Sequence, residues 1–297
     1  MSSVSEGRIP AFAVRSVTRV PLRAALRADD GTWIEAVYDP FTGDGGGETA
    51  IVVAHGFTGS VDRPAVRRAV RTFSRYAAVV TFSFRGHGRS GGSSTVGDRE
   101  VLDLAAAVSW ARSLGHRRVV TVGFSMGGSV VLRHGALYAS PGAAGGEGGD
   151  GHGAERVAER EGRAGACSGA YADAVVSVSA PARWYYRGTA PMRRLHWMVT
   201  RPAGRLVGRF GFRTRIHREA WDPVPLSPVA AAALIAPAPL LIVHGDRDPY
   251  FPLDHPRMLA AAAGDAGELW LERGMGHAEN AADESLLTRI ADWVVQR

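Results

Sequence analysis

The sequence predicts an α/β protein built on a mostly parallel sheet flanked by helices, and three observations carry that prediction. Short apolar, β-branched runs alternate along the chain with segments of helical spacing, the pattern of a parallel sheet covered on both faces. Several of these runs end in Gly-rich loops, and such sheets place their ligands outside the carboxyl ends of the strands. One run, VVTVGFSMGGSV over residues 119–130, passes into a proline-free, helix-spaced stretch through Gly123-Phe124-Ser125-Met126-Gly127.

The elements follow in order. Residues 12–20 and 32–38 read as strands, with ADDG at 28–31 as the turn of a hairpin. Residues 41–48 form a Gly-rich loop. Residues 49–54 are a short buried strand running into His55-Gly56-Phe57-Thr58-Gly59. Helical spacing covers 63–76, with Asp62 as N-cap and Pro64 in the first turn. Residues 77–84 are a second buried strand, ending in RGHGRSGG at 85–92. Residues 98–114 form an amphipathic helix with Val101, Leu104, Ala105, Val108 and Ala111 on one side. After the Ser125 unit, residues 139–170 are mostly Gly and Ala with scattered charge. Burial there cannot offset the ordering entropy, so a long mobile insertion is expected. A strand at 173–179 precedes an arginine-rich aromatic segment. A short helix at 227–235 and a strand at 239–243 lead into His244-Gly245-Asp246-Arg247-Asp248. A helix at 256–263, a strand at 268–272 and a closing helix at 283–296 complete the chain. The division is a core of residues 1–181 and 237–297 and an arginine-rich cap over 182–236.

Composition narrows the chemistry. All 35 basic residues are arginine, so Schiff-base and Ser-Lys mechanisms, which need a lysine amine, are excluded. The lone cysteine, Cys167, cannot form an intrachain disulfide and fits a reducing compartment; with no apolar leader at the N-terminus, a cytoplasmic location is expected. Residues 223–245 are uncharged and long enough to suggest a membrane span, but five prolines would break such a helix. Residues 182–218 hold ten arginines and no Asp or Glu, more than the whole chain's net +6, so the basicity is local and the rest is net acidic.

A strand, a tight Gly-flanked turn and a helix are the context in which a G-x-S-x-G serine acts as a nucleophile. Ser125 then needs a base, an acid that orients the base, and donors for an oxyanion. His277, in the Gly274-Met275-Gly276-His277 loop after the last strand, is the best-placed histidine; His116, His134 and His255 lie on or beside helices, His152 in the insertion, and His196 and His217 in the basic segment. For the acid, Asp246 and Asp248 both follow the 239–243 strand. Asp248 is preferred because Asp246 sits where a carboxylate makes turn hydrogen bonds, and Asp254 is a distant third. The expected oxyanion donors are the backbone N–H groups of Met126, at a helix N-terminus, and of Phe57. His55 is expected to brace its loop through its imidazole.

HGFTG, FRGHGRSGG, GFSMGG, HGDRDPYFP and GMGH, in that order, resemble the α/β-hydrolase superfamily, in particular its bacterial esterase, lipase and peptidase-like members. The resemblance covers residues 51–131 and 238–282, and less firmly 173–181. It implies a mainly parallel, about eight-stranded sheet with a lid before the acid-bearing strand, placing residues 182–236 as a helical lid. It also implies Ser125, Asp248 and His277 as the catalytic residues. Ser83 departs from the pattern, since members often carry Asp two residues before the loop arginine. Ser125 in place of an aspartate nucleophile argues against the epoxide-hydrolase and dehalogenase branches.

The expectation is a serine hydrolase of a small-molecule ester or thioester, working without cofactor or metal. The same residues would serve an acyltransferase, an amide, peptide or carbon–carbon bond hydrolase, or a non-catalytic binding protein on the same scaffold. Trp184, Tyr185, Met192 and Trp197 are expected to line an apolar substrate pocket. Gly86-x-Gly88-x-x-Gly91 matches a dinucleotide fingerprint but opens no helix, so NAD and FAD are not expected. Nucleic acid is not expected either. A solvated basic face is the simplest account of the arginines, with an anionic substrate or peripheral membrane contact as alternatives.

Overall fold

Residues 49–54, TAIVVA, are a short, mostly apolar run rich in β-branched residues, and they form a central strand. The computed structural model describes residues 20–43, 47–138 and 169–297. In chain order the strands are β1 (Leu22–Arg27), β2 (Trp33–Asp39), β3 (Thr49–Ala54), β4 (Ala78–Phe82), β5 (Arg118–Phe124), β6 (Ala174–Val178), β7 (Leu240–Gly245) and β8 (Gly267–Glu272). The helices are α1 (Pro64–Phe73), α2 (Glu100–Ser113), α3 (Met126–Leu137), α4 (Ala190–Thr200), α5 (Pro202–Gly211), α6 (Pro228–Ala232), α7 (Asp254–Ala263), α8 (Ala278–Ala281) and α9 (Glu284–Gln296).

The strands form one eight-stranded sheet in the order β1-β2-β4-β3-β5-β6-β7-β8. β1 and β2 pair antiparallel, as do β2 and β4; all other pairs are parallel. The pleat assigns alternate residues to opposite cores. Ala50, Val52 and Ala54 face a core completed by α2, α3, α6 and α7. Ile51 and Val53 face the other, completed by α1 and α9. Both faces are covered, as the near-continuous apolar runs require.

Two expectations are corrected. The hairpin partner of β2 is Leu22–Arg27 rather than residues 12–20, of which 12–19 lie outside the described residues and Val20 is exposed. β1 is an edge strand with one neighbour, so it carries arginines and shows no apolar run. The N-cap of α1 is Arg63, not Asp62, whose carboxylate instead meets Arg23 at 3.1 Å. The insertion expected over 139–170 falls almost wholly outside the described residues, as do residues 44–46 of the 41–48 loop. Among the described residues, no helix is long and apolar enough to cross a membrane.

Residues 182–236 leave the sheet after β6 and return as β7, carrying α4, α5 and α6. They are stitched to the loop after β4. Arg215 N–H donates to the Gly86 carbonyl at 2.8 Å, and Ser94 N–H to the Arg215 carbonyl at 2.7 Å. A Cβ on Gly86 would stand 2.4 Å from that Arg215 carbonyl, and its φ of +76° also favours glycine. Gly86 thus serves a close backbone approach between the two segments.

Candidate active site

Ser125 sits between the last residue of β5 and the first of α3, with φ 51° and ψ −112°. The turn leaves no room for a side chain two residues to either side of the serine. A Cβ on Gly123 would stand 2.2 Å from the Gly127 carbonyl oxygen, and a Cβ on Gly127 would stand 2.2 Å from that of Ala54. Real Cβ contacts are never so close, so both glycines are fixed by geometry. The strained serine is held by its own N–H, which donates to the Val178 carbonyl of β6 at 2.8 Å.

His277 is the residue before α8, and its Nε2 lies 2.8 Å from Ser125 Oγ. Its Nδ1 lies 2.7 Å from Asp248 Oδ2. The Asp248 side chain is fully enclosed, while that of His277 keeps slight exposure. Burial would raise the Asp248 carboxyl, but the hydrogen bond and charge of His277 and the Tyr250 N–H together hold it below its ordinary value. An ionised carboxylate only accepts, so Nδ1–H donates to it and Nε2 offers a lone pair to the serine hydroxyl. The second Asp248 oxygen accepts from the N–H groups of Tyr250 at 2.8 Å and Phe251 at 3.1 Å. Tyr250 stacks on the imidazole at 4.2 Å between centroids.

Asp246 does not join this row; its Oδ1 accepts from Gly274 N–H at 2.6 Å and so closes the histidine loop. Asp254 pairs with Arg183 at 2.7 Å. His55 Nε2 accepts from Phe84 N–H at 3.0 Å and Nδ1–H donates to the Gly56 carbonyl at 2.7 Å. Burial, aided by the neighbouring His87, pushes His55 down to about 3, so it stays neutral and bridges two loops. Ser83 accepts from Val61 N–H at 3.2 Å and donates to Glu35 at 3.2 Å, filling its position in the loop without a carboxylate of its own.

Phe57 and Met126 border the same cavity as Ser125. On either side of Phe57, Gly56 N–H donates to Glu279 Oε1 at 2.9 Å and Thr58 N–H to His87 Nε2 at 3.2 Å. The cavity holds about 340 Å³ and is mainly apolar. Trp184, Tyr185 and Met192 line it, as expected positions; Trp197 does not, and its ring is half exposed instead. Trp221 and Phe251 line it as well. Trp221 packs tilted against Trp184, with ring centroids 5.0 Å apart, and donates from its ring N–H to the Thr95 carbonyl at 2.7 Å.

The model of the Alpha/beta hydrolase family matches residues 51–286, most of the chain. The chain belongs to that family. Among solved structures, this alpha/beta hydrolase is similar to an esterase of Pyrococcus furiosus, with 19% identity, TM-score 0.65 and 97% of each chain covered. It is also similar to a serine hydrolase of Xanthomonas campestris described as lacking a lid, with 18% identity, TM-score 0.57, and 93% of this chain and 94% of that one covered. An alpha/beta hydrolase of Penicillium is similar at 15% identity and TM-score 0.64, over 93% of this chain and 98% of that one. At these identities the likeness is one of fold. No curated protein matches the sequence.

Sequence reading of this alpha/beta hydrolase missed the residues that hold its loops. Ser179, just past β6, accepts from Ala278 N–H at 3.1 Å and so anchors the residue after His277. Glu100, buried at the start of α2, accepts from Thr95, Val96 and Gly97 N–H groups at 2.8, 3.1 and 2.9 Å. It shapes the cavity wall formed by Thr95 and Val96. A Glu in a helix's first turn was a signal for such capping, though not for its target.

Proposed function

We propose that this protein is a serine hydrolase that cleaves a carboxylic ester or thioester of a small molecule through an acyl-enzyme. The observation that carries the reading is the unbroken row from Ser125 Oγ to His277 Nε2 at 2.8 Å and from His277 Nδ1 to Asp248 Oδ2 at 2.7 Å. Ser125 Oγ attacks the carbonyl carbon while His277 Nε2 takes its proton. The carbonyl oxygen becomes an oxyanion beside the N–H groups of Met126 and Phe57, the first at the N-terminus of α3 where the helix dipole also favours negative charge. Collapse breaks the bond to the leaving alcohol or thiol, which receives the proton from His277. Water then attacks the acyl-serine, giving its proton to His277, and the acid leaves with Ser125 restored. Asp248 keeps the imidazole in one tautomer and offsets its positive charge.

Residues 182–236 serve as the lid, contributing Trp184, Tyr185, Met192 and Trp221 to an apolar acyl or aryl pocket over Ser125. The test is hydrolysis of a p-nitrophenyl ester ladder from acetate to palmitate, with labelling by a fluorophosphonate. Turnover and labelling are both expected in the wild type and absent in Ser125→Ala. A folded wild type that neither turns over nor labels would overturn the reading. Transfer to an added alcohol in preference to water would reassign it as an acyltransferase.

A further inference from the structure

Helix α5 is built inside out. Its buried residues are Gly204 and Gly208. A Cβ on Gly204 would stand 2.5 Å from the Trp197 carbonyl, and one on Gly208 would stand 2.9 Å from Ile216 Cδ1. With glycines turned inward, the bulky residues turn outward. Phe210 is 75% exposed and Leu206 57%, with Val207 and Phe212 exposed beside them and Trp197 on the adjoining α4. A cluster of this kind marks an interaction surface, since it would be replaced by polar residues on a face meeting only water.

The charges around it are of one sign. Arg193, Arg194, Arg201, Arg209 and Arg213 are all exposed on α4, α5 and their flanks. The segment 182–218 contains no Asp or Glu. Among the described residues, no carboxylate pairs with Arg194, Arg201, Arg209 or Arg213. The other face of the same hairpin, with Met192, Leu195 and Val199, borders the cavity of Ser125.

We propose that the α4–α5 hairpin docks this chain on an anionic phospholipid surface. Phe210 and Leu206 enter the acyl boundary while the arginines lie among the phosphates. A bilayer offers hydrocarbon and negative charge at one interface, matching both halves of the patch. A second copy fits worse, because a two-fold contact would set these arginines against their own counterparts. Nucleic acid fits worse: Phe210, Phe212 and Trp197 offer rings, but the aliphatic Leu206 and Val207 would stay uncovered against a phosphate backbone, whereas acyl chains would bury them.

The experiment is co-sedimentation of the full chain with vesicles of phosphatidylcholine alone, and of phosphatidylcholine with one-third phosphatidylglycerol. Binding is expected to the anionic vesicles only, and to weaken as salt rises. Arg209→Gln and Arg213→Gln should each lower the partition coefficient about fivefold. Phe210→Ser should lower it about tenfold or more, by removing apolar burial. All three positions are exposed, so the melting temperature should not change. Absence of binding to anionic vesicles, equal binding to both compositions, or binding indifferent to these variants overturns the proposal. Self-association that Phe210→Ser abolishes, without vesicle binding, would assign the patch to a second copy instead.

Discussion

Glu279 Oε1 accepts the Gly56 N–H at 2.9 Å, joining residues 223 apart in sequence. The bond ties the helix that follows His277 to the loop that carries Phe57. Glu279 is buried, and Arg68 donates to its backbone carbonyl at 2.6 Å, so the carboxylate has little freedom. With Gly56 and Thr58 both engaged, the Phe57 N–H between them is positioned from both sides. Glu279→Ala should therefore reduce kcat about tenfold to a hundredfold with little change in KM, somewhat less than deleting an oxyanion donor outright. Glu279→Gln keeps an acceptor oxygen and should retain most of the rate. Equal losses in both variants, tracking equal losses of melting temperature, would leave Glu279 a purely structural role.

The two aspartates of the HGDRD stretch make a paired test. Asp248→Asn leaves the shape of the site but sets an amide against His277 Nδ1, favouring the wrong tautomer. A fall of about ten-thousandfold in kcat is expected. Asp246→Asn keeps a carbonyl oxygen for Gly274 N–H and should hold most of the activity. Steady-state kinetics on one soluble ester decides between them. The reverse ranking would move the acid to Asp246 and break the proposed relay.

Gly127 gives a test of the turn itself. Its Cβ position lies 2.2 Å from the Ala54 carbonyl oxygen, which is backbone and cannot swing aside. Gly127→Ala should destabilise by about 1–3 kcal/mol or more through overpacking. It should also displace Ser125 from His277. Urea unfolding and fluorophosphonate labelling measure the two effects. A variant as stable and as reactive as wild type would show that the turn is not as tight as described.

The central strands, the serine turn and the acid and histidine loops were legible because each combines local composition with a demanding backbone. Val119–Val122 could be read as buried, and Gly123 and Gly127 as room for a close approach, without knowing which carbonyl came near. What was not legible depends on partners far away in the chain. β1 is satisfied by a single neighbour, so nothing in Leu22–Arg27 needs to be apolar throughout. Trp197 and Trp221 are equally aromatic and equally near arginines. Only the packing of Gly204 against the Trp197 backbone, and of Trp221 against Thr95, sends one outward and the other into the cavity. Glu279 and Ser179 look like ordinary loop residues until the fold brings Gly56 and Ala278 to them.

Stability should fall in mild acid. Burial holds His55 and His134 at about 3, far below the ordinary histidine value of 6.5. Between these values the unfolded chain binds protons that the folded one refuses, so stability rises with pH and is lost as pH falls from about 6.5 toward 3. Each such group contributes a slope of about 1.4 kcal/mol per pH unit. Asp103 opposes this, since burial pushes its carboxyl up to about 7 despite Arg85, and the folded chain then gains a proton between that value and the ordinary carboxylate one. One opposing group leaves the histidines dominant. Thermal melts from pH 7 down to 4.5 should show a falling midpoint, and a flat profile would contradict the neutral buried histidines.

Pocket selectivity separates the two tryptophans. Trp221 packs against Trp184 and Tyr185, at 5.0 and 5.3 Å between centroids, and all three border the cavity above Ser125. Trp221→Ala opens that wall and frees the Thr95 carbonyl it had bonded. For long-chain or aryl esters kcat/KM should fall about tenfold or more, because the lost apolar contact is made by the acyl group and not by the reacting carbon. For acetate, which cannot reach the wall, the change should be small. Trp197→Ala lies outside the cavity and should leave the whole chain-length profile unchanged. If Trp197→Ala alters the profile for soluble esters as strongly as Trp221→Ala, the cavity is not the acyl site, and the acyl group must run along the outer face of α4.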